Sequence, residues 1–135
     1  MNETSLGHRF ARISTETVIM ADRILIIDDE ATLSAVLSIR LQATGFETEV
    51  ANHGSAGLAA ASLLPVPDAI VLDVRMPDLD GFEVNLHLKS NPRTAQIPVI
   101  FLSANVQDSA RRTAIAAGAY AYLKKPYDPI EVIQT

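Results

Sequence analysis

Carboxylates follow two of the most apolar runs in the chain, at the point where each run ends. Asp28 and Asp29 come directly after residues 24–27, and Asp73 comes directly after residues 70–72. Each run has the length and composition of a short strand buried on both faces, which carries no polar side chain until it leaves the sheet. Because the carboxyl ends of parallel strands meet at one edge of a sheet, we expect the three carboxylates to share one crevice.

Three neighbouring carboxylates repel one another, and this repulsion indicates a cation. At ~4 Å and an effective dielectric constant of ~20, one pair of like charges costs about 4 kcal/mol. The cluster is therefore expected to hold protons, to contact a cation, or both. Oxygen ligands without His or Cys suit a hard divalent ion, of which Mg²⁺ is the best match.

Two further side chains that suit phosphate chemistry follow other apolar runs. Ser103 follows residues 98–102, and Lys125 comes two residues after the run 120–123. Mg²⁺ that is held by a few carboxylates and waters usually takes a phosphate as its remaining partner. A lysine and a hydroxyl supply other contacts that a phosphoryl group needs. A carboxylate next to Mg²⁺ can itself act as the nucleophile and form an aspartyl phosphate.

Five strand-like segments alternate with five helix-like segments and would position these side chains. The strands are predicted at 24–27, 46–50, 69–72, 98–102 and 120–123. The helices are predicted at 33–41 with Gly45 just past the end as C-cap, at 56–64, at 82–88 with Asn91-Pro92 as the stop, at 108–117 and from about residue 128 onwards. This alternation predicts an α/β fold with right-handed crossovers. The expected architecture is a doubly wound, five-stranded parallel sheet of order 2-1-3-4-5 flanked by helices. In this order the ligand crevice lies between strands one and three.

The segment 82–88 has an ambiguous pattern. Its apolar and polar residues alternate strictly, which is typical of a strand. It lies between two buried-strand patterns, however, and a parallel sheet needs a crossover there. We therefore predict a helix.

Length and composition exclude several classes of protein. The chain has 135 residues, 48% of them hydrophobic, which fits one globular domain. The net charge of -5 argues against a nucleic-acid-binding surface, and the absence of Cys removes disulfides and thiolate metal sites. No apolar run approaches the ~18 residues of a membrane span, and no signal peptide is visible, so a cytoplasmic protein is expected. Residues 1–19 are expected to be a leader or extension outside the fold, and 20–135 the domain, with a truncated last helix.

The residues at the strand ends resemble those of the receiver domain of bacterial two-component response regulators, a CheY-like, flavodoxin-like domain. The resemblance covers nearly all of residues 20–135. It rests on Ile26-Ile27-Asp28-Asp29-Glu30, Leu72-Asp73-Val74-Arg75-Met76-Pro77 with Asp80-Gly81, Leu102-Ser103-Ala104, and Tyr122-Leu123-Lys124-Lys125-Pro126. Each motif alone is weak, but all of them occur in order and each lies at a strand end.

The resemblance implies a phosphoacceptor and a metal site. Asp73 would accept a phosphoryl group from a histidine kinase or a phosphotransfer protein. Asp29 would bind Mg²⁺ directly, Asp28 largely through water, and Asp73 and the backbone carbonyl of Arg75 would complete the protein ligands.

The resemblance also implies how phosphorylation is read. Lys125 would pair with the phosphoryl oxygens, and Ser103 would hydrogen-bond to the phosphoryl group. Tyr122 matches the aromatic residue that turns inward when Ser103 is recruited. Tyr120 shares the predicted strand face of Tyr122 and is interpreted from that position as part of a partner surface. The domain would act as a switch and not as an enzyme, with self-dephosphorylation as a side activity. It would control an output partner or domain, and could form a homodimer through the helix 4–strand 5–helix 5 face, without direct contact to nucleic acid or membrane.

Several alternatives stay open. Asp28 and Asp29 could simply cap a helix. A Mg²⁺-dependent phosphohydrolase also uses an aspartyl nucleophile, but usually carries a second acid two residues later, where this chain has Arg75. A receiver-like module could bind partners without being phosphorylated.

The side chain of Arg75 is hypothesised to cross the mouth of the site and to affect the phosphoryl lifetime. Asp78 and Asp80 are interpreted as turn formers. The three histidines (His8, His53 and His87) have no acidic or His partner at ligand spacing and are interpreted as surface residues.

Overall fold

Strands and helices alternate along the chain as predicted. The computed structural model describes residues 22–63, 65–103, 108–124 and 132–133. Within them the elements are β1 (Arg23–Ile27), α1 (Ala31–Thr44), β2 (Glu47–Ala51), α2 (Gly54–Ser62), β3 (Ala69–Asp73), α3 (Gly81–Ser90), β4 (Val99–Ser103), α4 (Asp108–Ala116) and β5 (Ala121–Lys124). Residues 132 and 133, the described part of the predicted last helix, are helical. The predicted leader, 1–19, lies outside the described residues.

The five strands form one parallel sheet in the order β2-β1-β3-β4-β5, which confirms the predicted architecture. The strand order reverses between β1 and β3, as predicted. Both β3 and β4 are buried at every position, which explains their nearly continuous apolar sequences.

The sheet separates two apolar clusters, and side chains alternate between them along each strand. Leu25 and Ile27 of β1 face one cluster, with Val84 and Leu88 of α3. The alternate β1 residues, Ile24 and Ile26, face the other cluster, with α1. This alternation decides the side on which each strand-end side chain leaves the sheet.

The ambiguous segment 82–88 is helical, as predicted. Asp80 accepts a hydrogen bond from the Glu83 amide, and the Glu83 side chain accepts one from the Asp80 amide, which forms a capping box at the start of α3. Val84 and Leu88 are buried one helical turn apart, whereas Leu86 between them is 67% exposed. The alternation in sequence therefore did not correspond to two faces of a strand.

The buried face of α1 differs from the one that the apolar spacing suggests. Leu37 and Leu41 are buried, but Val36 is 47% exposed and Ser34 takes a buried position. The Ser34 hydroxyl donates to the Ala31 carbonyl, so burial leaves it satisfied. The predicted helix is confirmed, and Gly45 ends it in the left-handed conformation at φ 111°.

Several element boundaries differ by one or two residues from the predictions. Helix α2 begins at Gly54 and not at residue 56, because His53 accepts a hydrogen bond from the Ala56 amide and serves as N-cap. Strand β5 is shifted by one residue, to Ala121–Lys124. Among the described residues, no helix has both the length and the apolar character that a membrane crossing requires.

Candidate functional site

Asp28, Asp29 and Asp73 meet at the carboxyl edge of the sheet, as predicted. Each offers a carboxylate oxygen, and these oxygens all lie within 4.8 Å of one another. Asp28 and Asp73 are buried, whereas Asp29 is exposed. Side chains two residues apart on a strand face the same side of the sheet. Asp28 therefore lies on the side of Ile24 and Ile26, and Asp73 on the side of Ala69 and Val71, which is the α1 side in both cases.

The backbone of Asp28 is held at both of its peptide groups. Its amide donates to the Ala51 carbonyl at 3.0 Å, and its carbonyl accepts from Nδ2 of Asn52 at 2.9 Å. Its Oδ1 accepts from the Glu30 amide at 2.9 Å. The N-cap of α1 is Glu30, whose side chain makes no capping hydrogen bond. The alternative that Asp28 and Asp29 are the caps of this helix is therefore wrong.

Asp73 lies where β3 turns sharply into the next loop. The Val74 amide donates to the Leu102 carbonyl at 3.0 Å, and the Val74 carbonyl accepts from the Gly81 amide at 2.7 Å. A Cβ at Gly81 would overlap the Asp73 carbonyl oxygen and lie 2.8 Å from the Val74 Cα, so only glycine fits there. The start of α3 thus packs directly on the backbone that carries the Asp73 carboxylate.

The donor set of the cluster fits a hard divalent cation. Three carboxylates at this spacing have the oxygen chemistry that Mg²⁺ prefers, and His and Cys are absent from it. Two of the three are buried, where unscreened repulsion between carboxylates is strongest. A cation bound between them would remove that repulsion.

Arg75 contributes backbone and not side-chain contacts to the described site. Its amide donates to Asp73 Oδ1 at 3.4 Å, near the long limit of a hydrogen bond. Its side chain is exposed. The predicted role of the Arg75 carbonyl as a metal ligand, and that of the side chain in the phosphoryl lifetime, stay predictions.

Ser103 and Tyr122 lie on the neighbouring strands. Ser103 is the buried last residue of β4, one residue beyond the register partner of Asp73. Tyr122 pairs in register with Phe101, and both belong to the cluster that packs against α3. Because Ser103 follows Phe101 by two residues, Ser103 and Tyr122 share one face of the sheet. Tyr122 is only 4% exposed, whereas Tyr120 is 59% exposed.

Lys125 and Pro126 lie outside the described residues. The structure therefore brings together the three predicted acids, with Ser103 on the strand next to Asp73. The predicted contact of Lys125 with a phosphoryl group stays a prediction.

Asp78 has a role that the sequence interpretation missed. Its Oδ1 accepts from the Gly54 amide at 2.8 Å, and its Oδ2 accepts from the Ser55 amide at 2.9 Å and the Ser55 hydroxyl at 2.8 Å. These bonds, led by that of the Ser55 amide, hold the pKa of Asp78 well below its ordinary value. Asp78 thus caps α2 across the fold, and Asp80 caps α3, so the interpretation of both as turn formers was incomplete.

His53 has an acidic neighbour in the folded chain that its spacing in the sequence did not reveal. Its Nδ1 lies 3.5 Å from Oδ2 of Asp78, which is 25 residues away in the chain. His53 and His87 are both exposed, as predicted, and His8 lies outside the described residues. The only local signal for the cap at α2 is the pair Gly54-Ser55, two small residues that favour a helix start.

Comparison with known proteins places this geometry in a family. A model of the response regulator receiver domain matches residues 24–135. The chain is 41% identical over 111 residues to the DNA-binding dual master transcriptional regulator RpaA of Synechocystis, which covers 82% of this chain and 46% of that protein. It is 38% identical over 111 residues to the response regulator PleD of Caulobacter vibrioides, which covers 82% of this chain and 24% of that protein.

Solved structures agree with these sequence matches. The chemotaxis response regulator CheY4 of Vibrio cholerae superimposes with a TM-score of 0.79 at 28% identity, covering 85% of this chain and 98% of that one. The chain spans less than half the length of RpaA and PleD, but nearly the whole of CheY4.

Proposed function

The chain belongs to the response regulator receiver domain family, and from that premise we propose that it is a phosphorylatable switch in which Asp73 accepts the phosphoryl group. The observation that carries this proposal is the carboxylate cluster. Two buried acids and one exposed acid, from adjacent strands, offer oxygens within 4.8 Å of one another at the edge where the strand order reverses.

Asp28, Asp29, Asp73 and the backbone carbonyl of Arg75 would hold Mg²⁺. The ion would neutralise charge on the cluster and on an incoming phosphoryl group. Asp28 suits this role because its backbone is anchored at both peptide groups and its Oδ1 is oriented by the Glu30 amide. Asp29 is exposed and would reach the ion from the solvent side.

Asp73 would act as the nucleophile. A carboxylate oxygen attacks the phosphorus of a phosphohistidine, the P–N bond breaks, and the imidazole leaves with the bonding electrons and takes up a proton. Lys125 would pair with the phosphoryl oxygens and Ser103 would donate to one of them. Hydrolysis of the aspartyl phosphate by water would reset the switch as a side activity.

The phosphoryl group would change the balance between two conformations of the domain. The phosphoryl group carries a charge of about −2 and introduces it at a buried edge of the sheet. Ser103 lies on the strand next to Asp73 and shares a sheet face with Tyr122, so a movement of Ser103 toward the phosphoryl group changes the packing around the Tyr122 ring. The two conformations pre-exist, and phosphorylation shifts their populations.

The partners follow from this function. A histidine kinase or a phosphotransfer protein would supply the phosphoryl group in the cytoplasm, and an output partner or domain would read the switch. The face of α4, β5 and the last helix would be the output or homodimer surface, where Tyr120 and Ile115 are exposed. Residues 20–135 would form the receiver domain, and residues 1–19 would precede it.

Phosphorylation by a small-molecule donor tests the proposal. The protein is incubated with acetyl phosphate and Mg²⁺, and its intact mass is measured beside those of Asp73→Asn and Asp80→Asn. Asp80 is a matched control because it is an exposed carboxylate of the same loop, and Asn preserves a helix N-cap. We expect a gain of one phosphoryl group in the wild type and in Asp80→Asn, but none in Asp73→Asn or without Mg²⁺.

Two results would contradict the proposal. If the folded, Mg²⁺-binding wild type gains no mass at any time after mixing, the chain is a partner-binding module. If Asp73→Asn gains the same mass as the wild type, another residue is the acceptor.

A further inference from the structure

The segment 51–55, here called the bridging segment, contacts both loops that carry the metal-site residues. It connects β2 to α2 and contains no residue of the carboxylate cluster. On one side it meets the β1–α1 loop, residues 28–30. On the other side it meets the β3–α3 loop, residues 74–80.

The first contact holds the backbone of a metal-site acid. Ala51 accepts from the Asp28 amide at 3.0 Å, and Nδ2 of Asn52 donates to the Asp28 carbonyl at 2.9 Å. The first bond continues the pattern of the sheet, but the second depends on one side chain. Asn52 therefore restricts the rotation of the peptide that follows Asp28.

The second contact joins the opposite loop to the same segment. Asp78 accepts three hydrogen bonds, from the Gly54 amide, the Ser55 amide and the Ser55 hydroxyl. The two backbones are also in close contact, since a Cβ at Gly54 would lie 2.8 Å from Leu79 Cβ and 3.1 Å from the Leu79 carbonyl oxygen.

These contacts begin where the sheet stops holding the two loops together. The register of β1 with β3 ends at Ile27 and Leu72, one residue before Asp28 and Asp73. Beyond that point a path runs from Asp28 to the Asn52 side chain, along the backbone of residues 52–55, and from Gly54 and Ser55 to Asp78, and it joins the loop of one acid to the loop that follows the other. Mg²⁺ demands near-ideal octahedral geometry, so its affinity depends on how closely this separation is fixed before binding.

We propose that Asn52 and Asp78 are positioning residues of the metal centre, which clamp the bridging segment between the two loops and set the separation of their ligands. This inference rests on the proposed function, because it takes the carboxylate cluster to be a Mg²⁺ site. Asn52 holds the bridging segment to the β1–α1 loop, and Asp78 holds it to the β3–α3 loop, so both contacts are needed to fix the separation of the loops. Loss of either contact frees the loops, and loss of the second therefore weakens Mg²⁺ binding little further.

Mg²⁺ affinity in a double-mutant cycle tests whether both contacts are needed. The dissociation constant is measured by isothermal titration calorimetry for the wild type, Asn52→Ala, Asp78→Asn and the double variant. Removal of the outer partners of metal ligands weakens binding by about tenfold or more. We expect each single variant to lose about tenfold and the double variant to lose about tenfold as well.

Asp80→Asn is the control for charge. It removes the same charge from the same loop as Asp78→Asn but leaves the bridging segment clamped, and Asn still caps α3. We expect its Mg²⁺ dissociation constant to stay close to that of the wild type. Equal weakening by Asp78→Asn and Asp80→Asn would show that charge alone is responsible and would overturn the proposal.

Hydrogen exchange of the metal-free protein gives a second readout that needs no ion. A cap with only a local role would change exchange at the Gly54 and Ser55 amides. A clamp also predicts faster exchange of the Glu30 amide, which bonds to Asp28 Oδ1, in Asp78→Asn. Unchanged Glu30 exchange would contradict the proposal. A hundredfold loss of Mg²⁺ affinity in the double variant would also contradict it, because that result would mean that the two substitutions act independently.

If the wild type itself binds no Mg²⁺, the proposed function fails together with the inference, and the wild-type measurement alone reveals this.

Discussion

A methyl group added at Gly57 is expected to destabilise the protein, although it lies in a helix. A Cβ at this position of α2 would lie 2.5 Å from Cδ1 of Ile27 and 2.8 Å from its Cγ1 and Cγ2. Ile27 is fully buried, so its side chain has little room to move. Alanine in place of glycine within a helix gains about 1 kcal/mol, whereas overpacking a core costs about 1–3 kcal/mol. The net expectation for Gly57→Ala is a loss of about 1 kcal/mol.

Urea unfolding followed by circular dichroism measures this loss, and two variants separate its terms. Ala59→Gly, at an exposed position of the same helix, reports the helix term alone and should cost about 1 kcal/mol. Ile27→Ala removes all three clashing atoms at a cost of about 3 kcal/mol. In that background Gly57→Ala should become stabilising by about 1 kcal/mol or more, since it gains helix propensity and fills part of the cavity.

The sign of the stability change that Gly57→Ala causes in the wild-type background tests the steric reasoning. If Gly57→Ala stabilises the otherwise unchanged protein by about 1 kcal/mol, the helix moves away without cost and the steric reasoning is refuted. The same conclusion would follow if its effect were equal with and without the Ile27 side chain, because contacting residues should show a coupling energy.

Three further predictions concern other parts of the fold. The pKa of Asp78 is lowered from its ordinary value of 3.8, so the contribution of Asp78 to the free energy of unfolding should be complete above about pH 5 and should fade as the pH drops below 3.8. In urea titrations the difference in unfolding free energy between the wild type and Asp78→Asn should therefore shrink as the pH falls, and a constant difference would contradict the cap. Asp80→Ala should cost about 1 kcal/mol in the same assay and Asp80→Asn a few tenths at most, because only Ala removes the bond to the Glu83 amide; equal losses would argue against capping. Phe101→Ala should cost about 4 kcal/mol, because the ring is fully buried and its centroid lies 5.2 Å from that of Phe82; a loss below about 1 kcal/mol would mean that the core closes over the cavity.

The positions of the site acids were predictable because they follow from local pattern. Residues 24–27 and 70–72 are short apolar runs that end in a carboxylate. A strand buried on both faces cannot carry a charge before its end, so the first acid after each run lies at the sheet edge. Parallel strands then bring Asp28 and Asp73 together whatever the loops do.

Other predictions depended on topology rather than on pattern. The alternation in 82–88 favoured a strand, and only the need for a crossover between two parallel strands indicated a helix. The structure shows why the pattern misled: Phe82 is half-buried at the helix start, and Leu86 points to solvent. One buried apolar side chain per turn was enough to form the packed face, because Val84 and Leu88, four residues apart, both pack against the core.

The sequence by itself determined the strand ends and the identity of the three clustered acids, since these depend on apolar runs of a few residues. It also determined the fold, once the crossovers that parallel strands need were taken into account. The tertiary structure alone decided what surrounds the three acids. Asp78 bonds to Gly54 and Ser55 from 23 or 24 residues away, and Asn52 bonds to Asp28 from 24 residues away. Side chains of this kind look like ordinary turn residues in a linear chain, and only the packing of two loops against one helix start brings their donors and acceptors within reach.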